Sequence, residues 1–183
     1  MTDGDPRPEC THLHDLLHDE TMDQEDLMER LKALSGITDC IVDGLAATAA
    51  DENWCDFELY LWPASSHPSR DLTPVLLDVL RRRDEMAPNE GIVDLLIDVA
   101  DPAAADALRD MLWWNPEWDE GHWIAIKALY ALGNLPGTEA DIRGAAETGP
   151  DDVRETAERI LAYMATERLA NKATEGPALW NGQ

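Results

Sequence analysis

Between Trp123 and Met164 the chain alternates apolar helical stretches with short breaks marked by Gly and Pro, which restricts it to stacked helices. An Ala/Leu-rich stretch gives way to Gly-Asn-Leu-Pro-Gly, then a short helical segment, then Gly-Pro-Asp-Asp, then a helix opening Val153-Arg154-Glu155. The breaks recur. Glu90-Gly91, Glu120-Gly121 and the Asp151-Asp152 pair stand at equivalent places, 30 and 31 residues apart, a spacing within the range of helical repeats. A two-helix unit of that length cannot bury its apolar face alone, so its neighbours must stack on it. The segment 123–135 is apolar nearly all round, as a central layer has to be.

The same reading extends towards the N-terminus. Leu72, Val75, Leu76, Val79 and Leu80 share a face behind Thr73-Pro74, a cap followed by proline at the first helical position. Ile92, Val93, Leu95, Leu96 and Val99 form the next face, and Ala104, Ala107, Leu108, Met111 and Leu112 follow Asp101-Pro102. Before these, Leu13, Leu16 and Leu17 mark a short helix. Thr21 and Gln24 form a capping-box pattern ahead of Leu27, Met28, Leu31 and Leu34, and Ile41, Val42, Leu45, Ala46 and Ala49 form a third face. Residues 51–62 suit either strand or helix; with no partner strands in view, helix is the reading. The segment 63–71, PASSHPSRD, reads as a loop. The expected organisation is a flexible lead-in at 1–10, a helical cap at 11–62, repeats at 72–168 and a tail at 169–183, within one compact domain.

The segment 72–165, and 123–164 above all, resembles the HEAT-like helical repeats of the phycobilisome-lyase type. In such repeats an Asp before the second helix and a Val-Arg opening it make turn and ladder contacts, and Asp152, Val153 and Arg154 match that pattern. EGIV and EGHW stand where Val-Arg would fall in the two earlier units. The resemblance implies an all-α fold, a HEAT-like α-solenoid of antiparallel helix pairs with an N-terminal helical cap. It also implies a surface for binding rather than chemistry.

Charge narrows the partner. With Asp+Glu 38 against Lys+Arg 14, the formal net charge is -24, which disfavours nucleic acid and anionic membranes and steers cationic proteins towards the chain. No apolar run approaches the ~18 residues of a membrane span, and the first ten residues lack the pattern of a signal peptide. Cys10, Cys40 and Cys55 lack CxxC spacing, so reduced thiols in a cytoplasmic protein are the expectation.

Four of the seven tryptophans fall within WWNPEWDEGHW, residues 113–123. Tryptophan beside carboxylates suits a cationic side chain, through cation–π contact and charge pairing together. Trp114 and Trp118 are the rings expected to be exposed, with Glu117, Asp119 and Glu120 as partner-binding carboxylates; Trp113 and Trp123 fall nearest the apolar faces. His14 and His18 share a helix face at a spacing that metals use, but without a supporting ligand pattern they read as solvated. Arg81-Arg82-Arg83 suits a helix C-terminus. No nucleophile elbow, phosphate loop or dinucleotide fingerprint is present, so no catalytic residue, metal or cofactor is expected. The sequence thus reads as a non-catalytic, acidic helical-repeat protein for protein–protein interaction, binding a basic protein or peptide as an immunity or antitoxin protein would. The alternative is a HEAT-like enzyme or accessory protein, akin to a DNA glycosylase or to a lyase or chaperone.

Overall fold

The computed structural model describes residues 7–174, with side chains to residue 167. Among the described residues there are ten α-helices, two 3-10 turns and no strand. The helices are α1 Pro8–Leu17, α2 Gln24–Ala33, α3 Thr38–Ala50, α4 Trp54–Ser66, α5 Thr73–Arg82, α6 Asn89–Val99, α7 Ala105–Leu112, α8 Trp123–Gly133, α9 Glu139–Thr148 and α10 Asp151–Thr174. None is long and apolar enough to cross a membrane among the described residues.

Local chemistry explains most boundaries. Asp23, rather than Thr21, caps α2 by accepting from the Asp26 N–H, and Asn53 caps α4 by accepting from the Asp56 N–H. The residues read as ambiguous, 51–62, contribute the first two-thirds of α4, because Phe57, Tyr60 and Leu61 bury one helical face. That helix continues through Pro63 to Ser66, so the loop expected at 63–71 shrinks to residues 67–69 before a 3-10 turn at Arg70–Leu72. α5 and α6 end in left-handed residues that are not glycine, Arg83 at φ 50° and Ala100 at φ 47°. The expected lead-in at 1–10 is also shortened. α1 begins at Pro8, a favoured first position, while residues 1–6 lie outside the described residues. At the other end α10 runs to Thr174, into the expected tail, of which 175–183 lie outside the described residues.

The helices touch in two successions. α4 meets α6, α6 meets α8 and α8 meets α10, while α3 meets α5 and α5 meets α7; cross-contacts join α3 to α4, α5 to α6, α7 to α8 and α9 to α10. Close approach is built in where it is needed. A Cβ on Gly44 of α3 would stand 2.2 Å from the Tyr60 ring of α4, so only glycine admits that ring. Polar ties also run between helices: Arg82 Nη1 of α5 donates to the Ala49 carbonyl of α3 at 2.7 Å, and Arg109 Nε of α7 donates to Asp141 of α9 at 2.8 Å.

One expectation fails here. Cys10 and Cys40 form a disulfide between α1 and α3, their Cα atoms 5.0 Å apart. Sequence spacing could not reveal it, because the pairing depends on α1 lying across α3, where Leu13 and Ile41 are both fully buried. The bond stands against the expected reduced thiols at Cys10 and Cys40. Cys55 is exposed and unpaired. The disulfide closes a segment with a sequence separation of 30 residues. Cys10→Ser should therefore lower stability by about 2–4 kcal/mol. Thermal melts of wild type with and without reductant check it: the reduced protein should melt like the variant, and identical melts in all states would refute it.

Candidate functional site

The ends of α4, α6 and α8 that come first in the chain meet at a groove of about 550 Å³. Its walls combine three chemistries. Trp54, Met86 and Trp118 supply large apolar surfaces, Glu58, Glu85, Glu90 and Asp94 supply carboxylates, and Asn89, Lys127 and the Cys55 thiol are among the other lining groups. A shallower depression of about 420 Å³ continues along α4 and α6, sharing Glu58, Gly91 and Asp94 and adding Trp62 and Asp98.

Each wall is held by its own contacts. Trp54 opens α4 and donates Nε1–H to Asp84 at 3.1 Å, which fixes the segment between α5 and α6 against α4. Asp84 also accepts from the Met86 N–H at 2.9 Å, leaving the Met86 side chain 77% exposed at the rim. Lys127, on α8, reaches back to α6, where its ammonium pairs with Glu90 at 2.7 Å and with Asp94. Burial alone would lower the Lys127 pKa, but the bonds to the two carboxylates outweigh that and raise it, so the ammonium stays charged. One cation is thus set among four carboxylates.

The tryptophan-rich segment contributes to this groove through Trp118 alone. Trp118 is 45% exposed and stands edge-on to Trp114, ring centroids 6.2 Å apart. Trp114, expected to be exposed, is half-buried and packs on the core. Trp113 and Trp123, expected to lie near apolar faces, are 55% and 56% exposed. The reason is local. Trp113 falls at the C-cap of α7, where the helical face has ended at Leu112, and Trp123 begins α8 with its ring folded over Gly121, where a Cβ would lie 2.5 Å from Nε1. Glu117 and Glu120 are exposed but do not line the groove.

Asp119, expected in the binding set, is held inside the structure. Only 4% exposed, it accepts from the N–H groups of Trp123 at 2.8 Å and Ile124 at 3.0 Å, and so caps the start of α8. His122, left-handed at φ 49°, sits between them and donates Nδ1–H to Asp152 at 2.9 Å, linking the start of α8 to that of α10. The N-terminal histidines make small contacts. His14 and His18 lie ring to ring at 4.2 Å, with Tyr60 and Asp56 nearby, and no group of three or more His, Cys, Asp or Glu is arranged for a metal among the described residues. Arg82 serves the α3–α5 seam, as above, and Arg83 is the left-handed cap of α5.

Sequence reading missed most of the groove. Glu90-Gly91 was noticed only for its periodicity, and Trp54, Glu58, Glu85, Met86, Asn89, Asp94 and Lys127 come from three segments that only packing brings together. Compared with protein-family models and with curated proteins, the chain matches none of either.

Two outcomes follow. Asp119→Ala should destabilise the fold by about 1–2 kcal/mol through the lost cap, whereas Trp118→Ala should leave the melting temperature almost unchanged. Equal melting shifts in the two variants would contradict this division of roles. The second concerns acid. Burial by itself would raise the Asp152 pKa, but the bonds from His122 and from the Val153 N–H outweigh it and hold the group below its ordinary value of 3.8. A carboxyl whose folded pKa is lowered stabilises the fold above its unfolded pKa and loses that contribution as pH falls through the folded value. The stability gap between wild type and Asp152→Asn should therefore hold from neutral pH down to about 4 and close below it. Melts across that range check it, and a gap unchanged down to strong acid would refute it.

Proposed function

We propose that this chain is a non-catalytic, acidic helical-repeat protein that binds a basic protein partner through the α4–α6–α8 groove. The carrying observation is the groove itself, where aromatic and thioether surfaces stand beside carboxylates that outnumber the single cation among them. Such a wall suits a lysine or arginine side chain, which gains both charge pairing and contact with a ring face. The whole-chain charge of -24 supports the reading, because it raises the rate at which a cationic partner arrives.

Architecture supports it as well. The succession α6, α8, α10 beside α5 and α7 is what a HEAT-like α-solenoid of antiparallel pairs requires, preceded by the N-terminal helical cap at 11–62. Helix starts in the first succession, at residues 89, 123 and 151, fall 34 and 28 residues apart, within the range of helical repeats. A stacked row of this kind presents one continuous face, and this face carries the groove. In its sharper form, the partner is a basic toxin whose active surface this immunity or antitoxin protein masks with carboxylates.

The test is kinetic. A partner captured from the source cells and purified should be basic, and its association rate should fall at least roughly ten-fold between about 20 mM and 300 mM salt, with dissociation changing less. Surface plasmon resonance across that range measures it. A salt-independent association rate would remove charge steering, and tight binding to duplex DNA at moderate salt would favour the glycosylase-like alternative.

A further inference from the structure

We infer that the cavity between α8 and α10 binds a small carboxylate carrying an aromatic body, a second site that does not depend on the cationic-partner reading. The cavity holds about 580 Å³, within the range of small-molecule sites. It arises because α8 stops at Gly133 while α10 runs on to Thr174, which leaves a step beside the longer helix. Tyr130 and Tyr163 contribute exposed rings to its lining, and Ile160 and Met164 add aliphatic and thioether surface. An aromatic ligand body suits such walls, since rings pack on rings.

The polar groups of the lining select the anion. Arg159 is the cavity's cation, and Glu155 lies one helical turn before it, the position from which Asp78 pairs with Arg82 and Glu139 with Arg143. Arg159 forgoes that pair and has no ion pair among the described residues. Instead its Nη2 donates to the Tyr130 hydroxyl at 3.1 Å and to Thr156 Oγ1 at 3.3 Å, both of them neutral oxygens. Both contacts use one nitrogen, so Nη1 and Nε have no acceptor among the described residues, and Tyr130, having accepted, keeps its own O–H to give. A carboxylate answers these donors with two oxygens at once. Glu167, the lining's own carboxylate, is held elsewhere: it accepts from the Tyr163 hydroxyl at 2.7 Å, and its place in the helix is about 12 Å along the axis from Arg159. Anion-seeking donors therefore stand at one end of the cavity and apolar surface lies beyond them. Net charge sets the size of the ligand. At -24 the chain repels an acidic protein through every charge that protein carries, whereas a monocarboxylate meets the same repulsion with one.

The probes are benzoate, phenylacetate and hydrocinnamate, each beside its neutral amide, titrated into the full chain and followed by NMR, with capped hexaglutamate as the acidic-peptide arm. At least one carboxylate should bind with Kd of about 1 mM or tighter, and roughly ten-fold tighter than its amide. Arg159→Gln should lower carboxylate affinity about ten-fold while leaving the amide within about two-fold, and Tyr163→Ala should weaken both about three- to five-fold. Arg143→Gln, which makes the same change of net charge on α9, should alter carboxylate affinity less than about two-fold. Thermal melts establish folding of every variant; if Arg159→Gln fails to fold, Arg159→Lys keeps the charge and should still cost about three-fold. Equal affinity for acid and amide, equal losses from Arg159→Gln and Arg143→Gln, or no binding by any of the carboxylates would overturn the site. Hexaglutamate binding tighter than every carboxylate would overturn the small-molecule assignment in favour of an acidic peptide. None of these outcomes bears on the α4–α6–α8 groove, so the two sites stand or fall separately.

Discussion

The packing of α8 against α6, α7, α9 and α10 is the constraint on which the rest of the structure depends. Ile124, Ala128, Leu129 and Leu132 are completely buried, and Gly133 lies close enough to Ile160 of α10 that a Cβ would come within 3.0 Å of it. A helix enclosed this way has little freedom to slide, because truncating one of its leucines would cost about 2–5 kcal/mol. Its start must then be satisfied at a fixed place. Asp119 caps it, His122 takes the left-handed turn into it, and the segment before it is pinned with Trp118 facing the groove. The candidate site is thus a by-product of how the central helix begins.

Scarce cations follow the same logic. In a chain with so few of them, Arg82, Arg109 and Lys127 are each placed across a boundary between helices. None is fully buried, so each contributes modestly, and their value lies in registering one helix against the next. Lys127 has a double effect, since the tie between α8 and α6 also positions Glu90 and Asp94 as groove wall.

How much of this was legible beforehand varied with the range of the interaction. Helical faces such as Leu76–Leu80 and Ile92–Leu96 are local, and their periodicity announced them. Asp119 reads as one more acid in an acidic loop, because its capping role depends on a chain reversal that brings it under the Trp123 and Ile124 N–H groups. Trp113 and Trp123 were misjudged because helix ends, not helix faces, decide which way a terminal ring points. The Cys10–Cys40 bond and the groove are further still from local pattern. Both require helices distant in sequence to lie side by side, and no spacing rule encodes that.

The use of basic side chains as ties between helices leaves a further mark on the molecule. With Asp+Glu 38 against Lys+Arg 14, and three of those cations engaged between helices, the surface offered to solvent is predominantly anionic and the protein carries a dense cloud of counter-ions. A partner that docks must expel part of that cloud. Release of ions to bulk, with its gain in entropy, then becomes a component of binding in its own right, alongside any contact the two surfaces make.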